Sequence, residues 1–138
     1  MPAKDLYHQI VKDALIKDGW TITDDPLKLT IGSRSLYVDL GAEKLLAAQK
    51  EERKIAVEIK SFLSPSPIND LENALGQYIL YQNILQSTEP ERILYLAIRT
   101  EIYNDLFSEP IGQLLLNNQQ IKLIVFNPET QELVKWIN

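Results

Sequence analysis

The chain has 138 residues, 45% of them hydrophobic, which suits one globular domain with a real core. It has no cysteine and one histidine, His8, which excludes disulfides, thiolate nucleophiles, cysteine-ligated zinc and a histidine-rich zinc site within one chain. The formal net charge of −5 and a pI near 4.9 argue against a dedicated DNA-binding protein, because Lys and Arg neutralising phosphate dominate such affinity. A nuclease can still work with a local basic patch, metal ions or a partner's charge. No basic-then-apolar leader opens the chain, and no apolar run is long enough to span a membrane. A soluble, cytoplasmic protein is therefore expected.

Along the chain, Leu6, Ile10, Val11, Ala14 and Leu15 fall on one stripe of a helix expected from Lys4 to Lys17. Gly19 follows as a left-handed C-terminal cap. Trp20 to Thr23 reads as a strand closed by a turn at Asp24-Asp25-Pro26. Leu27, Leu29 and Ile31 alternate, Gly32-Ser33-Arg34 turns the chain, and Leu36 to Leu40 is a second such run, so a hairpin is expected. The segment Glu43 to Gln49 fits two helical turns or a strand. We favour the strand, paired with Lys54–Phe62 across a polar turn at Lys50-Glu51-Glu52-Arg53.

Ile55, Val57 and Ile59 alternate with Ala56, Glu58 and Lys60, the two-residue period of a half-buried strand. Ser64-Pro65-Ser66-Pro67 is a loop. Ser66 can cap a helix whose first position is Pro67, where a missing N–H costs nothing. That helix is expected over about Asp70 to Gln86, with Leu71, Ala74, Leu75, Tyr78, Ile79 and Leu85 inside. Arg92 to Ile98 is a compact apolar strand. Ile102 to Leu116 is helical, in two pieces if Pro110 and Gly112 break it. Ile121–Phe126 and Glu132–Ile137 form a terminal hairpin. The order predicts a single α/β domain over residues 1–138, with a mixed β-sheet flanked by helices.

Three features in this order bear on chemistry. Asp39 sits within or at the end of an apolar strand, Glu58-x-Lys60 lies on a later one, and Gln77 and Tyr81 share a face of the helix that follows. Mg²⁺ takes hard oxygen ligands and keeps several waters, so two carboxylates and a substrate phosphate suffice to hold it. A lysine two residues along the second strand lies beside the water or the charged phosphate. Taken singly, each feature has an ordinary reading. Glu-x-Lys is a solvated strand face with a weak ion pair, Asp39 caps a turn before Gly41, and Gln77/Tyr81 is a common helix face. The joint order is what selects the chemistry.

That order resembles the PD-(D/E)xK nuclease superfamily, whose core runs helix, three-stranded meander, helix, strand. The resemblance implies a restriction-endonuclease-like core binding Mg²⁺ or Mn²⁺ through Asp39 and Glu58. Asp39, Glu58 and Lys60 would be catalytic, and Gln77-x-x-x-Tyr81 would contact the DNA side. Val38 replaces the motif's proline. In the run from Tyr7-His8 to Gly19-Trp20, His8 stands where resolvase-like members carry a metal-linked glutamate. It is a poorer Mg²⁺ ligand than a carboxylate, with phosphate contact or a helix-edge position as its other roles. The stretches "KDGWTITDDPL", "YVDLGAE", "IAVEIKSF", "ALGQYILY" and "FNPETQELVKWI" are similar to the XisH family, the fdxN element excision controlling factors of cyanobacteria. This resemblance implies programmed DNA excision beside a site-specific recombinase, with an XisI-like companion as partner. Three readings follow: a metal-dependent DNA endonuclease, a nuclease-fold regulator that does not cut, or an unrelated α/β binding module. A homodimer through an exposed edge near Arg92–Ile98 or the terminal hairpin is a further expectation.

Overall fold

The alternation at residues 55–59 decides how the sheet is covered. Ile55, Val57 and Ile59 join one buried cluster and Ala56 joins another, so successive side chains enter opposite cores. In the computed structural model, which describes residues 6–46 and 51–138, the elements in chain order are α1 (His8–Lys17), β1 (Thr21–Asp24), β2 (Leu27–Ile31), β3 (Arg34–Val38), β4 (Leu40–Leu46), β5 (Glu51–Ile59), α2 (Pro67–Thr88), β6 (Arg92–Arg99), α3 (Thr100–Asp105), α4 (Pro110–Asn117), β7 (Leu123–Asn127) and β8 (Glu132–Ile137). Six strands form one sheet in the order β1-β4-β5-β6-β7-β8. β5, β6 and β7 run parallel, and the other neighbours are antiparallel. β2 and β3 form a separate two-stranded sheet. The mixed sheet flanked by helices is as expected.

α1 covers one face, packing Val11 and Leu15 with Leu40, Val57, Tyr95 and Phe126. α2 covers the other, packing Leu71, Ala74, Tyr78 and Tyr81 with Ala56, Leu94, Leu96 and Val125. Residues 94–98 of β6 are all buried, as a parallel strand covered on both faces requires.

Several expected boundaries move. α1 begins at His8 rather than Lys4, which lies outside the described residues, and Leu6 is exposed instead of joining the stripe. Gly19 does take a positive φ of 97°, with the Lys44 stem packed where its Cβ would be. The run Leu36–Leu40 is not one strand. Val38 pairs with Leu27 in the small sheet, Leu40 pairs with Val57 in the large one, and Asp39 is the bend between them. The favoured strand after Glu43 is present as part of β4. Glu51, Glu52 and Arg53 already pair with Leu46, Leu45 and Lys44, so they belong to the ladder and not to a turn. Residues 47–50 lie outside the described residues.

α2 starts at Pro67, where the Ser66 side chain accepts from the Asn69 N–H at 3.2 Å, and runs to Thr88. Its inner stripe is Leu71, Ala74, Tyr78, Tyr81 and Leu85. Ile79, expected inside, lies one residue off that stripe and is exposed. The 102–116 segment is indeed two helices, and Gly112 is needed there because a Cβ would stand 2.4 Å from Phe107 Cα. β6 lies between β5 and β7, so it offers no free edge for a dimer; β1 and β8 are the edges. No helix among the described residues is long and apolar enough to cross a membrane.

One buried hydroxyl ties α2 to the sheet. Tyr78 Oη donates to the Leu94 carbonyl and accepts from the Lys122 N–H, each at 3.1 Å. Tyr78→Phe removes both bonds and leaves the Lys122 N–H unpaired. It should lower unfolding stability by about 1–3 kcal/mol, read as a lower urea midpoint with an unchanged slope.

Candidate functional site

Asp39 occupies the crossing between the two sheets, and its own groups fasten it to β5. Its N–H donates to Glu58 Oε1 at 3.3 Å, and its Oδ2 accepts from the Ile59 N–H at 2.8 Å. A side chain therefore continues the rungs where the backbone ladder begins at Leu40 and Val57. Glu58 shares the parity of Ala56, so it points toward α2 and is only 6% exposed. Lys60 follows the end of β5. Its N–H donates to the Ala97 carbonyl at 3.1 Å, and its Nζ stands 3.9 Å from Glu58 Oε2. The structure thus brings Asp39, Glu58 and Lys60 together.

Tyr81 comes from α2 and is 7% exposed. Its hydroxyl is pushed up to about 12 by burial, then by the charges of Glu58 and Asp39, so it lies within the field of the carboxylates. It therefore stays a proton donor at neutral pH. Gln77 lies one helical turn earlier, half-buried, with its Oε1 buried and without a hydrogen-bond partner.

The two carboxylates conflict electrostatically. Burial pushes Glu58 up to about 8, and the negative charge of Asp39 and a hydrogen bond with it add to the rise. Lys60 pulls the other way and does not cancel it. A site that resists two negative charges, one of them buried, is suited to a divalent cation, which reverses that logic. The donors are hard oxygens, as Mg²⁺ or Mn²⁺ require. Among the described residues no group of three His, Cys, Asp or Glu could hold a metal, so water and phosphate would complete the shell.

His8 is not brought to this pair. It lies on α1, across the sheet from Glu58, and is buried. Its Nε2 is 2.7 Å from Asp25 Oδ1, while Lys12 Nζ donates to Asp25 Oδ2 at 2.8 Å. Burial favours protonation of Asp25, but the hydrogen bonds and charges of Lys12 and His8 outweigh it and hold the carboxyl below its usual range. His8 therefore anchors the Asp24-Asp25-Pro26 turn to α1. Its side chain faces Asp25, which Lys12 also binds, rather than the Asp39–Glu58 pair.

Sequence reasoning missed the residues that hold the segment after Lys60. Arg99, at the end of β6, donates to the Ser61 carbonyl through Nη1 and lies 5.7 Å over the Tyr7 ring. Phe62 is buried with a positive φ of 53°, a costly conformation for a bulky residue. A cation closing an otherwise apolar strand was the available signal for Arg99. Nothing local marks Phe62.

The Glu58 shift has a stability consequence in metal-free protein. Between about pH 4.5 and pH 8 the folded chain keeps a proton that the unfolded chain releases. The benefit is full below pH 4.5 and is lost as pH rises through 8. Glu58→Gln should therefore be more stable than wild type above pH 8, by on the order of a few kcal/mol at most, and unfold at a higher temperature there. The two curves should converge toward pH 4 in calorimetry with EDTA.

The XisH protein family model matches residues 1–134. The fold is similar to the crystal structure of an XisH family protein from Nostoc punctiforme PCC 73102, with 40% identity and a TM-score of 0.87, covering 97% of this chain and 100% of that one. It is similar to that of a fdxN element excision controlling factor protein from Anabaena variabilis, also at 40% identity and TM-score 0.87, covering 98% of this chain and 100% of that one. No curated protein matches. On a family match over nearly its whole length and two full-length structural relatives, the chain belongs to the XisH family.

Proposed function

We propose that this chain is a DNA-excision controlling factor with a restriction-endonuclease-like core, hydrolysing DNA phosphodiesters with Mg²⁺ or Mn²⁺ during excision of a DNA element. The observation that carries this reading is the buried Glu58 held against Asp39 with Lys60 Nζ at 3.9 Å. A solvated strand face would leave Glu58 in water. The order α1, strands, α2, β6 supports the PD-(D/E)xK comparison. The name of the Anabaena relative supports the excision context.

Asp39 and Glu58 would hold the cation. A bound Mg²⁺ or Mn²⁺ supplies charge neutralisation on the phosphate and lowers the pKa of the attacking water. Lys60 donates to the phosphate oxygens and stabilises the charge that develops there. Gln77 Oε1 and the Tyr81 hydroxyl give the DNA side an acceptor and a donor.

A second reading is favoured by the chain's net charge of −5 and by the pairing of His8 with Asp25. On it the nuclease fold no longer cuts, and binds DNA or an XisI-like companion to control a site-specific recombinase.

Supercoiled plasmid separates the two. With Mg²⁺ or Mn²⁺ the wild type should nick it, and EDTA should stop the reaction. Lys60→Ala and Asp39→Asn should each slow nicking by about 10²–10³-fold. Equal nicking by Lys60→Ala would place the activity elsewhere. No cleavage of any DNA form, alone or with the companion, together with co-purification of that companion, would establish the regulator instead.

A further inference from the structure

The hairpin before Asp39 is not needed to complete the large sheet, since β2 and β3 pair only with each other. Its inward side chains, Leu27, Leu29 and Val38, are buried in the α2 core. Its outward row is polar and exposed: Lys28 lies opposite Tyr37, and Thr30 opposite Ser35. Arg34 stands at the turn beside Gly32, where nothing lies within 4 Å of the position a Cβ would take. The tip therefore projects into open space.

Its charge departs from that of the chain. The twelve residues from Leu27 to Val38 contain Lys28 and Arg34 and no carboxylate, in a protein with 19 acidic and 14 basic residues. Lys12, Lys44, Lys54 and Arg92 all sit within ion-pair distance of a carboxylate. Lys28 and Arg34 are exposed and, like Lys17, Arg53, Lys122 and Lys135, stand in no ion pair among the described residues; unlike those, they share one hairpin that holds no carboxylate.

We infer that the β2–β3 hairpin is the ribbon on which duplex DNA docks, with Lys28 and Arg34 on phosphates and Thr30, Ser35 and Tyr37 along the groove. This rests on the reading of the chain as a DNA-acting protein. A two-stranded β-ribbon fits the major groove of B-DNA. At a strand rise of about 3.3 Å, Tyr37 lies roughly 7 Å and Arg34 roughly 17 Å along the chain from Asp39. That reach spans roughly five base pairs beside the phosphate that Lys60 and the cation at Asp39 and Glu58 would engage. The bonds from Asp39 to Glu58 and Ile59 make the ribbon's root rigid, so docking on it sets the register of the site.

The test is fluorescence anisotropy of a labelled duplex titrated with full-length protein across a salt series. Ca²⁺ replaces Mg²⁺ so that nothing is cut. The variants are Lys28→Gln/Arg34→Gln, the charge-conserving Lys28→Arg/Arg34→Lys, and Lys17→Gln/Lys135→Gln away from the hairpin. We expect the first to weaken binding at least tenfold at low salt. It should also reduce the slope of log affinity against log salt by about two. The other two should behave as wild type. Thermal melting checks that the glutamine variant is folded, and the charge-conserving variant separates lost charge from lost structure. If wild type binds and the hairpin variant matches it within twofold, DNA docks elsewhere and the inference is wrong while the DNA-acting reading stands. If wild type binds no duplex at any salt, the reading and the inference fall together. If the glutamine variant instead loses capture of the companion and keeps DNA binding, the hairpin is a protein contact and the inference is overturned.

Discussion

The attachment of Asp39 to β5 is the constraint on which the rest of the structure turns. At this residue the chain leaves a two-stranded sheet and enters a six-stranded one. Such a crossing interrupts backbone pairing, and buried peptide groups left unpaired are costly. Here the Asp39 N–H and carboxylate take the rungs themselves, bonding Glu58 and Ile59. One side chain thus secures the fold and brings a second carboxylate beside it. The hairpin's orientation and the placement of Lys60 follow from the same fixed point.

The rest of the site adds restraint around that point. Lys60 continues the β5–β6 pairing through its N–H, Arg99 holds the next carbonyl, and Phe62 is buried in a left-handed conformation. From the other side α2 buries Tyr81 within the field of the carboxylates. A buried Glu58 beside the half-buried Asp39 is unfavourable for the metal-free fold. Retaining them at that cost is what distinguishes this arrangement from an ordinary polar strand face. Across the sheet, His8, Lys12 and Asp25 form a separate network that pins the turn before the hairpin. Both ends of the hairpin are therefore tied down by charged side chains.

Much of the fold was legible because it rests on local patterns. The alternation in residues 55–59, the Ser66-Pro67 helix start and the Gly19 stop depend on neighbours in sequence. The misread parts depend on distant partners. Leu36–Leu40 looks continuous, and only the pairing of Leu40 with Val57 shows where it breaks. Ile79 is as apolar as Tyr78, yet the helix turns it toward solvent. β6 reads as any apolar strand, and only its two neighbours make it central.

The sequence by itself determined the residue types of the site and the period that sets Glu58 and Lys60 on one side of a strand. Its alternation marked residues 55–59 as a half-buried strand, whereas the fold buries both faces of that strand, Glu58 included. The sequence also carried enough family-specific stretches to mark the XisH resemblance. Tertiary structure alone decided that Asp39 meets Glu58, that Tyr81 is buried in the field of both, and that His8 turns to Asp25. Those outcomes depend on which strands pair and on which face of the sheet each helix lies. Burial and opposing charge then act between residues far apart in sequence, and no local spacing encodes them.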